Sequence, residues 1–210
     1  QYCALVAAGV MTADDAIRTV RERGILMQEA VPAGVGGMSA VLGMTADEIN
    51  AVVDEIPNVQ VANYNCPGQI VISGLKEAVE TAAVKLKEAG ARRVIPLNVS
   101  GPFHSYLLEG AGEKLGRFLE NIPVSEPVIP YVANVTAAYV TKAEDVKPLL
   151  TRQVSSSVRW QQSVETMLAD GVDRFIEIGP GKTLAGFIRK INREATVINI
   201  EKFEDLEKLN

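Results

Sequence analysis

The chain has 210 residues, 47% of them apolar and 22% charged, enough to bury a full core in one domain with room for an inserted subdomain. A formal charge of −5 leaves no dominant basic face to displace counterions from phosphates, which argues against a nucleic-acid partner. No long apolar run and no basic stretch ahead of an apolar one occurs, so the sequence offers neither a membrane span nor a secretory signal, and a cytoplasmic location is expected. Cys3 and Cys66 lack metal-ligand spacing; free thiols are the simplest reading, with a single disulfide as the alternative.

In chain order, Tyr2 to Ala8 reads as an apolar helix already under way, and Gln1 is not a start methionine, so an upstream segment is expected. A second helix opens at Thr12-Ala-Asp14-Asp15 and runs to about Val31, with Ala16, Ile17, Val20 and Met27 on its apolar face. Met38 to Leu42 is strand-like. Thr45-Ala-Asp-Glu48 is a capping box that starts a helix to about Glu55. Val59 to Ala62 and Gln69 to Ser73 read as strands on either side of a turn-forming stretch, Asn63 to Gly68. A helix from Leu75 to Ala89 and a strand from Arg93 to Leu97 complete the order βαββαβ, the ferredoxin-like arrangement, over residues 37–98.

The only histidine, His104, follows Ser100-Gly-Pro-Phe, where a strand gives way to a sharp Gly-Pro turn that presents the imidazole at the strand's end. Beyond it come a helix from Tyr106 to Asn121, a strand at Val128 to Val132, helices at Ala143 to Val154 and Val158 to Ala169, and a strand at Arg174 to Ile178. Gly179-Pro-Gly181-Lys182-Thr183 opens another helix, and Thr196 to Ile200 is the last strand. This alternation predicts an α/β body with a mostly parallel sheet over residues 1–36 and 99–210. The Gly-Lys-Thr tripeptide is not a phosphate loop: the motif needs glycine five positions before Gly181, and that position is Ile176.

Five separated blocks then carry a resemblance: Arg23-Gly-Ile-Leu-Met-Gln28, Asn63-Tyr-Asn65-Cys-Pro-Gly-Gln69, Val99-Ser-Gly-Pro-Phe103-His104-Ser, Arg152-Gln153 and Glu177-Ile-Gly-Pro-Gly-Lys182-Thr-Leu. In order and spacing they are similar to the malonyl-CoA:acyl carrier protein transacylases. The resemblance implies a modified α/β-hydrolase-like body with a ferredoxin-like insert. It also implies malonyl transfer from malonyl-CoA to acyl carrier protein in fatty-acid synthesis, with no cofactor, by a monomer. In that family the nucleophile lies in a Gly-His-Ser-Leu-Gly elbow. Tyr2 aligns just beyond it, which puts the serine three positions ahead of Gln1; no Gly-x-Ser-x-Gly occurs in the 210 residues, and by themselves they are expected to be inactive.

Roles follow from the resemblance and from the chemistry each residue type can do. His104 is the only imidazole available as general base, and the resemblance makes the main chain at Gln153 the acceptor for its second nitrogen. Arg23 would grip a malonyl carboxylate with two parallel hydrogen bonds. Phe103 beside the base would exclude an α-methyl group. Asn63 and Asn65 would touch the acyl or pantetheine portion, with turn chemistry as the competing account. Arg92 and Arg93, a basic pair on an acidic chain, would dock the carrier protein. A serine hydrolase or thioesterase and a non-catalytic binding fragment are the alternatives. The mid-chain position of His104 argues against the hydrolase order, and Arg23 has no purpose against an uncharged ester.

Overall fold

The computed structural model describes residues 1–209. Helices α1 (Tyr2–Ala7) and α2 (Ala13–Ala30) come first. The Thr12 hydroxyl caps α2 by accepting from the Asp15 N–H. Strand β1 (Gly36–Leu42), helix α3 (Ala46–Val53), strands β2 (Val59–Cys66) and β3 (Gln69–Leu75), helix α4 (Lys76–Glu88) and strand β4 (Arg93–Pro96) then follow in the predicted βαββαβ order. The capping box at Thr45 and Glu48 forms as the sequence required.

These four strands make one sheet in the order β2-β3-β1-β4, and every neighbouring pair in it is antiparallel. Strands β1 and β2 run the same way but do not touch, because β3 lies between them. Strands β3 and β4 are likewise separated by β1. Strand–helix–strand connections therefore coexist with antiparallel pairing throughout. The face packed on α3 and α4 buries Val41, Ile49, Val61, Ile70, Ile72, Val79 and Leu86. The opposite face contributes Met38, Ala62 and Val71, against which Leu97 and Phe103 pack.

After a 3-10 turn at Tyr106–Leu108 come α5 (Glu109–Leu119), β5 (Tyr131–Val132), β6 (Tyr139–Val140), α6 (Ala143–Gln153), α7 (Trp160–Ala169), β7 (Arg174–Ile178), α8 (Thr183–Ile191) and β8 (Thr196–Ile200), with a final 3-10 segment at Phe203–Leu209. Helices α1, α2, α5 and α6 share a core built on Leu5, Met27, Leu108, Leu115, Val146 and Leu150.

The mostly parallel sheet predicted for this part is corrected. Strands β5 and β6 are a two-residue antiparallel pair, and only β7 with β8 is a parallel ladder among the described residues. The strand predicted from Val128 shrinks to Tyr131–Val132, since Pro127 and Pro130 cannot donate to a ladder and Val128 and Ile129 are exposed. The turn predicted over Asn63 to Gly68 is also corrected. Strand β2 continues to Cys66 with two register shifts, and Pro67 and Gly68, the latter at φ 72°, suffice to reverse the chain. Val158 does not start α7; it pairs with Asn63 instead. Both cysteines are free, Cys3 exposed and Cys66 buried.

Candidate active site

His104 sits just past β4 with φ 57°, a left-handed conformation that costs a non-glycine residue roughly 1–2 kcal/mol and persists only where its surroundings enforce it. The enforcement is visible on both sides. Pro102 is buried against Gly36, where an added Cβ would come within 2.4 Å of the proline ring, and the buried Ser105 hydroxyl donates to the Pro102 carbonyl at 2.7 Å.

The imidazole Nδ1 lies 3.0 Å from the main-chain carbonyl oxygen of Gln153. A carbonyl can only accept, so Nδ1 carries the proton and Nε2 keeps a free lone pair. That carbonyl is available because Gln153 is the last residue of α6, where helix carbonyls lack intrahelical partners. The negative end of the α6 dipole gives modest support to a charged imidazolium. Burial pushes the His104 pKa down to about 4; the Arg23 charge pushes the same way and the Gln153 carbonyl opposes both. The ring is neutral at pH 7.

Two cavities meet at this residue. The smaller, of about 160 Å³, is lined by Gln1, Tyr2, Arg23, His104, Asn134, Leu150 and Gln153. The larger, of about 510 Å³, is bounded by Arg23, Gln28, Met38, Asn63, Phe103 and His104 among others. Arg23, from the middle of α2, borders both. It is half-buried and has no ion pair or hydrogen bond among the described residues, and burial lowers its pKa. An unpaired guanidinium withdrawn from water is costly unless an anion joins it. Around the smaller cavity the Gln1 amide nitrogen, the Tyr2 hydroxyl and the Gln153 amide oxygen are also buried without partners. Burial raises the Tyr2 pKa to about 12, so this hydroxyl remains a donor. Such a set of unsatisfied donors and acceptors suits a small polar, anionic ligand.

The structure brings together His104, Gln153, Arg23, Phe103 and Asn63. Asn65 borders neither cavity, and neither do Arg92 and Arg93, which are exposed at the start of β4. Leu97, at the cavity wall, is four residues further along, about 13 Å at strand rise. Sequence reasoning missed Asn134, which lies on the loop between β5 and β6, and Gln60, a polar residue in β2 hydrogen-bonded to the main chain of His104 and Tyr106. Gln60 stood out only as a polar residue between Val59 and Val61. Asn134 gave no local signal. The Gly179–Thr183 turn carries no anion site: the Glu177 carboxylate already accepts from the Leu184 and Ala185 N–H groups at the start of α8. Among the described residues no cluster of side chains could hold a metal, and no helix is long and apolar enough to cross a membrane.

The family profile of the acyl transferase domain matches residues 1–204. The chain belongs to this acyltransferase family. It is 47% identical over 211 residues to the malonyl CoA-acyl carrier protein transacylase of Bacillus subtilis, covering 99% of this chain and 67% of that one. Among solved structures it is similar to an acyl carrier protein S-malonyltransferase from Vibrio cholerae, with a TM-score of 0.97 and 41% identity over 100% of this chain and 69% of the other. It is also similar to a malonyl-transacylase solved in complex with a type II polyketide acyl carrier protein, with a TM-score of 0.95 and 40% identity over 99% and 68%. The acyltransferase thus holds its imidazole with a carbonyl partner, next to an unpaired arginine.

Proposed function

We propose that this acyltransferase moves a malonyl group from malonyl-CoA to the phosphopantetheine thiol of acyl carrier protein through an acyl-serine. The observation that carries the reading is the shared cavity, in which a neutral imidazole with a free Nε2 and an unpaired, half-buried guanidinium stand together. Nε2 takes the proton of a serine hydroxyl as its oxygen attacks the thioester carbonyl. When the tetrahedral adduct collapses the carbon–sulfur bond breaks, and the same proton goes to the departing CoA sulfur. In the second half the carrier thiol gives its proton to Nε2, its sulfur attacks the ester, and the serine oxygen is reprotonated. No cofactor enters any step. Arg23 holds the carboxylate that distinguishes malonyl from acetyl, Phe103 narrows the space beside the acyl carbon, and Asn63 contacts the acyl or pantetheine chain.

The serine belongs to an elbow ahead of Gln1 in this reading, and no Gly-x-Ser-x-Gly lies within the 210 residues. Residues 37–98 form the ferredoxin-like subdomain, while 1–36 and 99–210 belong to an α/β-hydrolase-like body. Arg92 and Arg93 meet the carrier protein, and the enzyme works as a cytoplasmic monomer. The test joins the segment preceding the matched region of the Bacillus subtilis relative to Gln1 and measures malonyl transfer to carrier protein. Transfer is expected from the joined chain and not from the 210 residues alone. His104→Ala in the joined chain should slow acylation by roughly 10²–10⁴-fold, the usual scale for a general base. Near-normal single-turnover acylation would remove His104 from the mechanism.

A further inference from the structure

Gln60 lies on β2, outside both cavities, and its carboxamide makes three main-chain hydrogen bonds to two distant segments. Nε2 donates to the His104 carbonyl at 3.2 Å and to the Ser155 carbonyl at 3.4 Å. Oε1 accepts from the Tyr106 N–H at 3.0 Å. Both amide hydrogens are thereby used, and the reverse orientation would set an oxygen against two carbonyls, so the network fixes the amide's direction. His104 and Ser155 stand on the two sides of the catalytic contact: one carries the imidazole, and the other is two residues beyond Gln153, whose carbonyl orients it.

We propose that Gln60 is a positioning residue for the general base, clamping the left-handed turn at His104 to the end of α6 so that the Nδ1–H points at the Gln153 carbonyl. The clamp acts at the residue that needs it. The positive φ of His104 is unfavourable in isolation, and Gln60 holds the two peptides that follow it, the first through the His104 carbonyl and the second through the Tyr106 N–H. Relaxation to negative φ would swing the ring away from Gln153 and release the tautomer. No other side chain of this size does the same work. Glutamate lacks both N–H donors, and methionine of similar length offers no polar atom of comparable strength. The Ser157 hydroxyl, bonded to the Val61 carbonyl, and the Val158 N–H, bonded to the Ala62 carbonyl, hold the same chain segment to β2, so the carboxamide is buttressed by the strand that carries it.

This inference rests on the reading of His104 as base, yet its test needs no acyl group. His104 is the only histidine, so selective ¹⁵N-histidine labelling of the 210-residue chain reports on that ring alone. The parent chain should show one neutral tautomer, protonated at Nδ1. Gln60→Met should give a mixture of tautomers, with the titration midpoint raised by about one unit or more toward the ordinary histidine value of about 6.5. Tyr106→Phe is the control: it removes the 2.9 Å bond to Asn58 from the same turn without touching the clamp, and should leave the spectrum as in the parent. Gln60→Asn keeps a polar amide on the strand but withdraws it by one methylene, and serves if the methionine variant does not fold; it too should mix the tautomers. A folded Gln60 variant with the parent's single tautomer overturns the proposal, as does a Tyr106→Phe spectrum disturbed as much as that of Gln60→Met. Malonyl transfer by the joined chain is a separate measurement, so either idea can fail alone.

Discussion

At the residue scale, Arg23 and His104 make separable predictions. Without Arg23 a partly buried malonyl carboxylate loses its partner, which by analogy with broken buried ion pairs costs on the order of 3–5 kcal/mol, or roughly 10²–10³-fold or more in kcat/KM. Acetyl transfer has no carboxylate to lose. In the joined chain Arg23→Ala should therefore depress malonyl transfer strongly while sparing acetyl transfer, and Arg23→Lys should recover only part, since it keeps the charge without the fork. Equal losses for both acyl-CoA substrates would make Arg23 a structural residue. His104 titrates near 4 when folded, against an ordinary value of 6.5. Above pH 6.5 both states are neutral and the difference contributes nothing. As pH falls from about 6.5 to about 4 the unfolded chain binds the proton first, so stability is lost by roughly 2–4 kcal/mol, and the loss levels off below that. Urea unfolding at pH 7 and pH 4 should show a smaller acid loss for His104→Ala than for the parent chain; equal losses would mean that the ring is not held neutral by its surroundings.

At the element scale, β1 and the turn before His104 are one packing unit. Gly36 begins β1, and a Cβ there would lie 2.4 Å from the Pro102 ring, whose fixed φ gives the turn little room to yield. Gly36→Ala should destabilise the chain by about 1–3 kcal/mol, the usual scale for overpacking, and should move the His104 resonance because the displaced residue is two positions away. Thermal melting and the single-histidine spectrum together check this; an unchanged melting temperature would show that β1 can shift without cost. Thr45→Ala offers a contrast. It removes the hydroxyl that accepts from the Glu48 N–H and leaves the backbone N–H of residue 45 bonded to the Glu48 carboxylate, should cost about 1 kcal/mol, and should leave the His104 signal in place, since α3 packs on the far face of the sheet.

At the scale of the whole molecule, the carrier protein must reach the base from a distance. Arg92 and Arg93 are exposed at the end of β4 away from the cavity, so in the proposed docking role they would steer and orient a partner without touching the acyl group. Rim charges change association rate more than affinity. Charge reversal at both positions should raise the KM for carrier protein and flatten its salt dependence, while acylation by malonyl-CoA keeps its rate. Should acylation fall in step, the pair supports the β1–β4 pairing and not a partner, because Arg93 faces Leu42 across that ladder.

The sequence by itself determined the order and kind of the elements between Ala13 and Pro96, the cap of α3, the exclusion of a phosphate loop, and the candidates His104, Gln153, Arg23, Phe103 and Asn63. Each rests on information carried within a few residues: apolar periodicity, turn residues, a scarce imidazole, a recognisable block. Pairing was decided only by the tertiary structure. Strands alternating with helices after His104 suggested a mostly parallel sheet, whereas β5 and β6 pair antiparallel over two residues and only β7 with β8 is a parallel ladder among the described residues, a choice no local period encodes. The left-handed turn at His104 and its clamp were equally hidden. Gln60 meets His104 across 44 positions and Ser155 across 95, so its value depends on three segments converging in space, whereas in the sequence it is one glutamine between two valines.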